Sequence, residues 1–182
     1  MSKESVENLP VFSDLQEVSP NKKSHSVARV VAMTGITAAL YVVATLAIQP
    51  LSYGAVQFRF SEVMVLLAFI DPFYSLGLII GCAISNIFST VGLIDVVFGT
   101  LGTVVAVAGI TRCKNLFIAT LWPTISMLIV TVGICLGTGL PYLPTLATVM
   151  FGEFVVVTCI GYPVFKVIMR NQALVRILKF NK

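Results

Sequence analysis

Long apolar runs, separated by short turns rich in Gly, Pro or polar residues, make up the chain after residue 26. A helix needs about 20 mostly apolar residues to cross a hydrocarbon core roughly 30 Å thick, and the second run is the shortest. The pattern predicts an all-α membrane protein whose six transmembrane helices form a compact bundle. The six runs are 27–49, 58–70, 73–89, 95–110, 116–136 and 146–169.

Basic residues occur at alternate turns of this pattern. They lie before or at the start of the first run, between the fourth and fifth runs, and at or after the end of the sixth. Cytoplasmic loops carry an excess of Lys and Arg, so both termini are predicted to be cytoplasmic. The basic positions are Lys22, Lys23, Arg29, Arg112, Lys114 and those after 165, whereas the turns 51–57, 90–94 and 137–145 contain no Lys or Arg.

Composition excludes a soluble enzyme. Of the 182 residues 57% are hydrophobic and 11% charged, against roughly 45–50% and about 25% in soluble domains. Residues 1–26 are predicted to be a flexible cytosolic tail, 27–169 the membrane domain and 170–182 a basic cytosolic end that anchors the protein and does not bind nucleic acid. The chain has no phosphate-binding loop, HExxH or Gly-x-Ser-x-Gly motif, and its one histidine is in the tail. We therefore expect no enzymatic activity, metal or cofactor.

A few polar and charged residues interrupt the apolar runs, all on the predicted outer side. They are Arg59 and Glu62 in the second run, Asn86 in the third, Asp95 in the fourth and Glu153 in the sixth. Charged residues inside membranes usually face the bundle interior or a cavity. Arg59 and Glu62, three residues apart, could form a buried salt bridge or contact a ligand. Glu153, with no basic residue near it in sequence, favours ligand contact.

The charges of this outer region indicate what it would bind. Three acids against one arginine favour a cationic ligand or one rich in hydrogen-bond donors. A carboxylate accepts two parallel hydrogen bonds, as from a guanine-like edge or an amidine. Aromatic residues at the same depth could stack on a flat ring, or simply pack or lie at the interface. They are Tyr53, Phe58, Phe60, Phe98, Tyr142 and Phe151.

Small residues recur on one face of the first helix, at steps of three and four. Such a face lets another helix approach closely, and this one is a candidate partner surface. The glycine pairs in 77–81 and 133–137 favour packing within the bundle instead. The face consists of Ala28, Ala32, Gly35 and Ala39.

Several segments, in order, resemble one family. They are Ala38-Ala39-Leu40-Tyr41, the stretch 57–62 (QFRFSE), Asp71-Pro72, the stretch 92–99 (GLIDVVFG), and Gly152-Glu153 followed by Gly161-Tyr162-Pro163. Over residues 28–168 the chain is similar to the QueT family of substrate-binding (S) components of energy-coupling factor transporters.

The resemblance implies a bacterial plasma-membrane subunit that binds a micronutrient near the outer surface, beneath the loop 50–57. S components pair with the scaffold subunit EcfT, through small residues of the first helix, and with two cytosolic ATPases. QueT members are assigned to uptake of queuosine precursors, chiefly 7-aminomethyl-7-deazaguanine. The implied roles are Glu153 for the guanine edge, Asp95 for the ammonium, Glu62, Asn86, Gln57 and Arg59 for polar support, and Phe60, Phe98 or Tyr53 for stacking.

Three alternatives stay open. The ligand could be another small donor-rich compound, such as a pyrimidine, a thiamin-like molecule or intact queuine. The protein could also be a stand-alone facilitator or channel, or a purely structural helical subunit.

Overall fold

The structure is a computed structural model that describes residues 27–52 and 57–179, and over these residues it is helical, without strands. The chain divides between Val30 and Val31, and the second unit is Val31–Lys182. The pocket described below belongs entirely to the second. The predicted tail 1–26 and Tyr53 lie outside the described residues.

The helices follow the apolar runs of the sequence. Short 3-10 and π-helical segments interrupt the α-helices, the first at Phe60–Leu66 and the second at Phe154–Gly161. The α-helices are α1 (Val27–Leu46), α2 (Gln49–Ser52), α3 (Leu67–Ile70), α4 (Tyr74–Ile87), α5 (Leu93–Ile110), α6 (Leu116–Thr138), α7 (Tyr142–Glu153), α8 (Tyr162–Arg170) and α9 (Gln172–Leu178).

Four of the described helices are long and apolar enough to cross a membrane. These are α1, α5, α6 and the continuous helix Tyr142–Arg170 formed by α7, the π-helical segment and α8. Two of the six predicted spans are shorter: Phe60–Ile70 and Tyr74–Ile87. The helical fold class is therefore confirmed, with four helices of full spanning length.

The predicted loop 137–145 is wrong at both ends. Helix α6 continues to Thr138, and α7 already begins at Tyr142. Pro144 does not prevent this start, because the first backbone N–H groups of a helix have no partner within it. Gly139, in the left-handed conformation at φ 73°, ends α6 and donates its N–H to the carbonyl of Cys135. The connection is thus a tight turn of three residues, 139–141.

The bundle is held together by one main apolar core and a smaller one. The main core joins α1, the segment Phe60–Ile70, α4, α5, the start of α6 and the helix Tyr142–Arg170. The smaller consists of Met127, Val130 and Ile134 of α6 with Val149 of α7. Close approach of α5 to α6 depends on glycine: a Cβ at Gly102 would lie 2.5 Å from Val130 Cγ2, and one at Gly133 would lie 2.5 Å from Phe98 Cβ.

Candidate functional site

A small pocket, partly open to the surface, lies between four elements. The segment that runs from residue 57 into the 3-10 helix, α5, α6 and the end of α7 each contribute to its wall. The lining combines polar groups with Met127 and Val130 of the smaller apolar core. The lining residues are Gln57, Arg59, Glu62, Gly99, Thr103, Met127, Val130 and Glu153.

Glu153 lines this pocket at the point where α7 passes into the π-helical segment. Its side chain is 3% exposed, and its Oε1 accepts no hydrogen bond from any described residue. A buried carboxylate is costly unless donors satisfy it. The pocket therefore presents one acceptor that the described part of the chain does not satisfy.

The backbone next to Glu153 lies against residue 57. A Cβ at Gly152 would be 2.5 Å from the carbonyl oxygen of Gln57 and 3.0 Å from its carbonyl carbon. Only glycine allows two backbones to approach so closely. Gly152 thus allows the segment 57–59, just before the 3-10 helix, to pack against the end of α7. This packing brings Gln57 and Glu153 together in the lining of the pocket.

Glu62 is satisfied within the protein, in contrast to Glu153. Arg59 Nη1 lies 3.8 Å from Glu62 Oε1, an ion pair across one turn of the 3-10 helix. The hydroxyl of Tyr41, on α1, donates a hydrogen bond to the same oxygen. The sequence allowed either a salt bridge between Arg59 and Glu62 or contact with a ligand. The salt bridge is present, and both residues also line the pocket.

The lining carries two carboxylates and one guanidinium. Glu153 interacts electrostatically with Glu62 and Arg59, and Arg59 also with Asp95. With both glutamates ionised the described lining has a formal charge of −1. Such a pocket favours a ligand that is cationic or rich in donors, and Met127 and Val130 provide an apolar surface for a flat ring.

Asn86 and Asp95 are buried just outside the pocket. The Asn86 amide donates to the Asp95 carbonyl oxygen at 3.2 Å and contacts Cys82 Sγ at 3.3 Å. It lies directly behind the wall, because a Cβ at Gly99 would be 2.2 Å from Asn86 Nδ2 and 3.6 Å from Asp95 Oδ1. Asn86 Oδ1 and Asp95 Oδ2 have no hydrogen-bond partner among the described residues. Two further unsatisfied acceptor oxygens therefore lie close to the pocket, separated from it by Gly99.

The aromatic candidates lie apart from the described lining. Phe98 packs against Gly133 of α6, and Phe60 is 42% exposed. Tyr53 is outside the described residues. The apolar part of the lining comes from Met127 and Val130 instead.

Sequence reasoning missed four lining residues and Tyr41. Gly99 and Thr103 follow Asp95 at steps of four, so helical spacing alone places them on its face. Thr103 also donates to the carbonyl of Gly99 at 3.1 Å. Nothing in the sequence indicates that Met127 and Val130 line a pocket, because both are ordinary residues of an apolar helix.

The small residues of α1 are placed on its exposed side. Ala28, Ala32, Gly35 and Ala39 are all exposed, and a Cβ at Gly35 would have nothing within 4 Å. The other side of α1 is buried and carries Thr37, Ala38, Tyr41 and Thr45. The partner-surface prediction thus concerns a helix face that the described bundle leaves uncovered.

Among the described residues no three His, Cys, Asp or Glu side chains are grouped so as to hold a metal ion. The donors that surround the pocket are the guanidinium of Arg59, the amide of Gln57 and the hydroxyl of Thr103. This set suits an organic ligand held by hydrogen bonds and charge.

Comparison with known proteins identifies the family of this chain. The family described as QueT transporter matches residues 31–170. A relative named "Queuosine precursor transporter QueT", from Lactococcus lactis subsp. cremoris (strain MG1363), is 32% identical over 136 residues, which cover 65% of this chain and 80% of the relative. No solved structure matches the chain. The resemblance inferred from the sequence motifs is confirmed: the chain is a membrane transport protein that belongs to the QueT transporter family.

Proposed function

We propose that this protein is the substrate-binding S component of an energy-coupling factor importer and binds a queuosine precursor, 7-aminomethyl-7-deazaguanine or a close relative. The observation that carries the proposal is the burial of Glu153 in the pocket without a complete set of hydrogen-bond partners. This residue is a buried acidic side chain in the polar part of the pocket lining, with an oxygen that no described residue satisfies. The name of the Lactococcus relative points to the same ligand class.

In this proposal the guanine edge of the ligand meets Glu153. Its N1–H and 2-amino groups are parallel donors that match the two oxygens of one carboxylate. The ring then lies on Met127 and Val130, with Gln57 and Thr103 at its polar edges. Arg59 and Glu62 complete the polar wall.

The aminomethyl ammonium is assigned to Asp95. This carboxylate and Asn86 lie next to Gly99, which lines the pocket. Their unsatisfied oxygens suit an ammonium donor. Stacking by Tyr53, Phe60 or Phe98 stays a prediction.

The chain is proposed to cross the bacterial plasma membrane six times, with both termini in the cytoplasm. Basic residues at the turn between α5 and α6, Arg112 and Lys114, and at the end of α8 support this orientation. The two short helices, Phe60–Ile70 and Tyr74–Ile87, are compatible with six crossings because many of their residues are buried in the bundle. A helix shorter than the membrane is tolerated where its ends are surrounded by protein.

The scaffold EcfT and two ATPases are the proposed partners. The exposed small-residue face of α1 is the surface offered to the scaffold. An external energy source is needed because the sequence contains no phosphate-binding loop.

Titration of the purified protein with 7-aminomethyl-7-deazaguanine tests the proposal. Glu153→Gln keeps the volume but replaces one acceptor oxygen by a donor amide, so affinity should fall roughly 10- to 100-fold, the usual effect of a hydrogen bond to a charged group. Glu17→Gln, the same change in the N-terminal tail, should bind like the wild type. Absence of binding by the wild type would contradict the function, and unchanged affinity of Glu153→Gln would contradict the guanine-edge assignment.

A further inference from the structure

Tyr41 links α1 to the pocket through a single polar contact. It is fully buried on α1, and its hydroxyl donates to Glu62 Oε1. Among the described residues this is the hydrogen bond that the Glu62 carboxylate receives, since Arg59 Nη1, at 3.8 Å, is beyond hydrogen-bond distance. The orientation of Glu62 in the pocket wall therefore depends on a residue outside the pocket.

The surroundings of Tyr41 fix its position. A Cβ at Gly81 of α4 would lie 2.8 Å from Tyr41 Cβ, so the two helices touch at this point. One turn along α1, the hydroxyl of Thr45 lies 2.7 Å from that of Ser61 and also donates to the carbonyl of Tyr41 at 2.9 Å. With its backbone held on both sides, Tyr41 can act as a rigid donor.

We propose that Tyr41 is a positioning residue for ligand binding: its hydroxyl holds the Glu62 carboxylate in the orientation that the ligand requires. This inference rests on the proposed function, because it needs a ligand that contacts the Glu62 wall. A free glutamate side chain samples several rotamers, and fixing it before binding removes part of the entropy that binding would otherwise cost. The contribution of Tyr41 to binding therefore passes through Glu62.

A double-mutant cycle separates this role from packing. Tyr41→Phe removes the hydroxyl and keeps the ring in the core. We expect its affinity for 7-aminomethyl-7-deazaguanine to fall roughly tenfold, as for loss of a hydrogen bond to a charged group. In a Glu62→Leu background the same change should alter affinity less than twofold, because the acceptor is already gone.

Glu62→Gln offers a second background in which the buried residue keeps an acceptor oxygen without the charge. There the effect of Tyr41→Phe should be intermediate, roughly two- to threefold, since neutral hydrogen bonds are about half as strong. This background also serves if Glu62→Leu, which removes the ion pair between Glu62 and Arg59, does not fold.

Two controls match the test. Tyr142→Phe removes a hydroxyl that donates to the carbonyl of Leu128 at 3.0 Å, in an exposed contact, and should leave affinity unchanged. Ser61→Ala removes the neighbouring Thr45–Ser61 contact between α1 and the 3-10 helix, but keeps the hydrogen bond from Thr45 to the Tyr41 carbonyl and the one from Tyr41 to Glu62. If loosening this interface were enough to weaken binding, Ser61→Ala would weaken it as much as Tyr41→Phe.

The outcomes are distinct. A loss in Tyr41→Phe that falls to two- to threefold in Glu62→Gln and to less than twofold in Glu62→Leu supports the positioning role. An equal loss in every background, an equal loss in Ser61→Ala, no loss at all, or recovery of Tyr41→Phe as unfolded protein overturns it. Failure of the wild type to bind the ligand is a different result, because it contradicts the proposed function itself.

Discussion

Two buried glutamates of one pocket differ in what surrounds them. Glu62 has an ion pair with Arg59 and a hydrogen bond from Tyr41, whereas Glu153 Oε1 has no partner among the described residues. Burying a charge without partners costs far more than burying a paired one. The sequence predicted that both glutamates matter, since acids inside apolar runs are costly. It also separated them in part, because Arg59 lies three residues from Glu62 and no basic residue lies near Glu153. It could not predict the hydrogen bond from Tyr41, which lies 21 residues before Glu62 and is joined to it by no spacing rule.

Gly152 offers a test at the same scale. A Cβ here meets the backbone of Gln57 at 2.5 Å, and a backbone cannot move aside as a side chain can. Gly152→Ala should therefore displace the segment beside Glu153 and weaken binding of the queuosine precursor by roughly tenfold, a cost of about 1.4 kcal/mol. Isothermal titration of the purified variant measures this.

Gly161→Ala is the matched control on the same long helix. Its Cβ would meet the tip of Leu66, Cδ1, at 3.1 Å, and a flexible side-chain end can shift by a few tenths of an ångström. We expect wild-type affinity in this variant. Equal affinities for the two alanine variants would show that the close approach of residue 57 to α7 does not shape the pocket.

At the scale of elements, α1 has two unlike faces. Its buried face packs on α4, where Gly77 and Gly81 bring the helices together: a Cβ at Gly77 would lie 2.8 Å from Thr37 Cβ. The sequence favoured internal packing for this glycine pair, and the structure confirms it. Which side of α1 packs inward required the tertiary structure, because α1 is apolar nearly all round and its pattern has no clear polar side.

Alanine at Gly81 tests this packing. The added methyl would lie 2.8 Å from Tyr41 Cβ and 3.0 Å from the carbonyl of Ala38, so α1 and α4 must separate. Overpacking of this kind typically costs about 1–3 kcal/mol. The unfolding midpoint of Gly81→Ala in detergent should fall, and circular dichroism during heating follows it.

Gly35→Ala makes the same change on the opposite face of α1. Nothing lies within 4 Å of the new methyl, and alanine favours a helix over glycine by roughly 0.5–1 kcal/mol. Its midpoint should be equal to or higher than that of the wild type. A drop as large as that of Gly81→Ala would show that helix packing does not explain the difference.

At the scale of the whole molecule, the pocket draws on segments far apart in the chain. Residue 57, the start of the 3-10 helix, α5, α6 and the end of α7 all contribute. A further surface, the small residues of α1, is exposed and contributes to no described contact in the pocket. This separation fits a subunit that binds its ligand in one place and its partners in another.

Replacing Ala32 by leucine tests the partner surface. A bulky side chain on a small-residue face keeps a second helix from approaching. Coexpression with EcfT and the two ATPases, followed by pull-down, should recover several-fold less of the scaffold with Ala32→Leu than with the wild type. Ala147→Leu, at an exposed alanine of α7, should recover wild-type amounts.

Vesicle transport gives the corresponding functional result. Uptake of the queuosine precursor should require the ATPases and ATP. Uptake by the protein alone would instead support a stand-alone facilitator, and equal scaffold recovery by both leucine variants would exclude this face of α1 as the partner surface.

The sequence by itself determined the helical class, the existence of apolar spans and the family, and it located the few charged residues inside those spans. These follow from local rules: an apolar run avoids water, and a buried charge is costly wherever it occurs. Only the tertiary structure decided which acid is satisfied and which is not, that Asn86 and Asp95 stand behind Gly99 outside the lining, and that Met127 and Val130 line the pocket. Those features depend on which helices pack against each other. Contacts between segments far apart in the chain do not produce a periodic pattern in the sequence, so local rules cannot predict them.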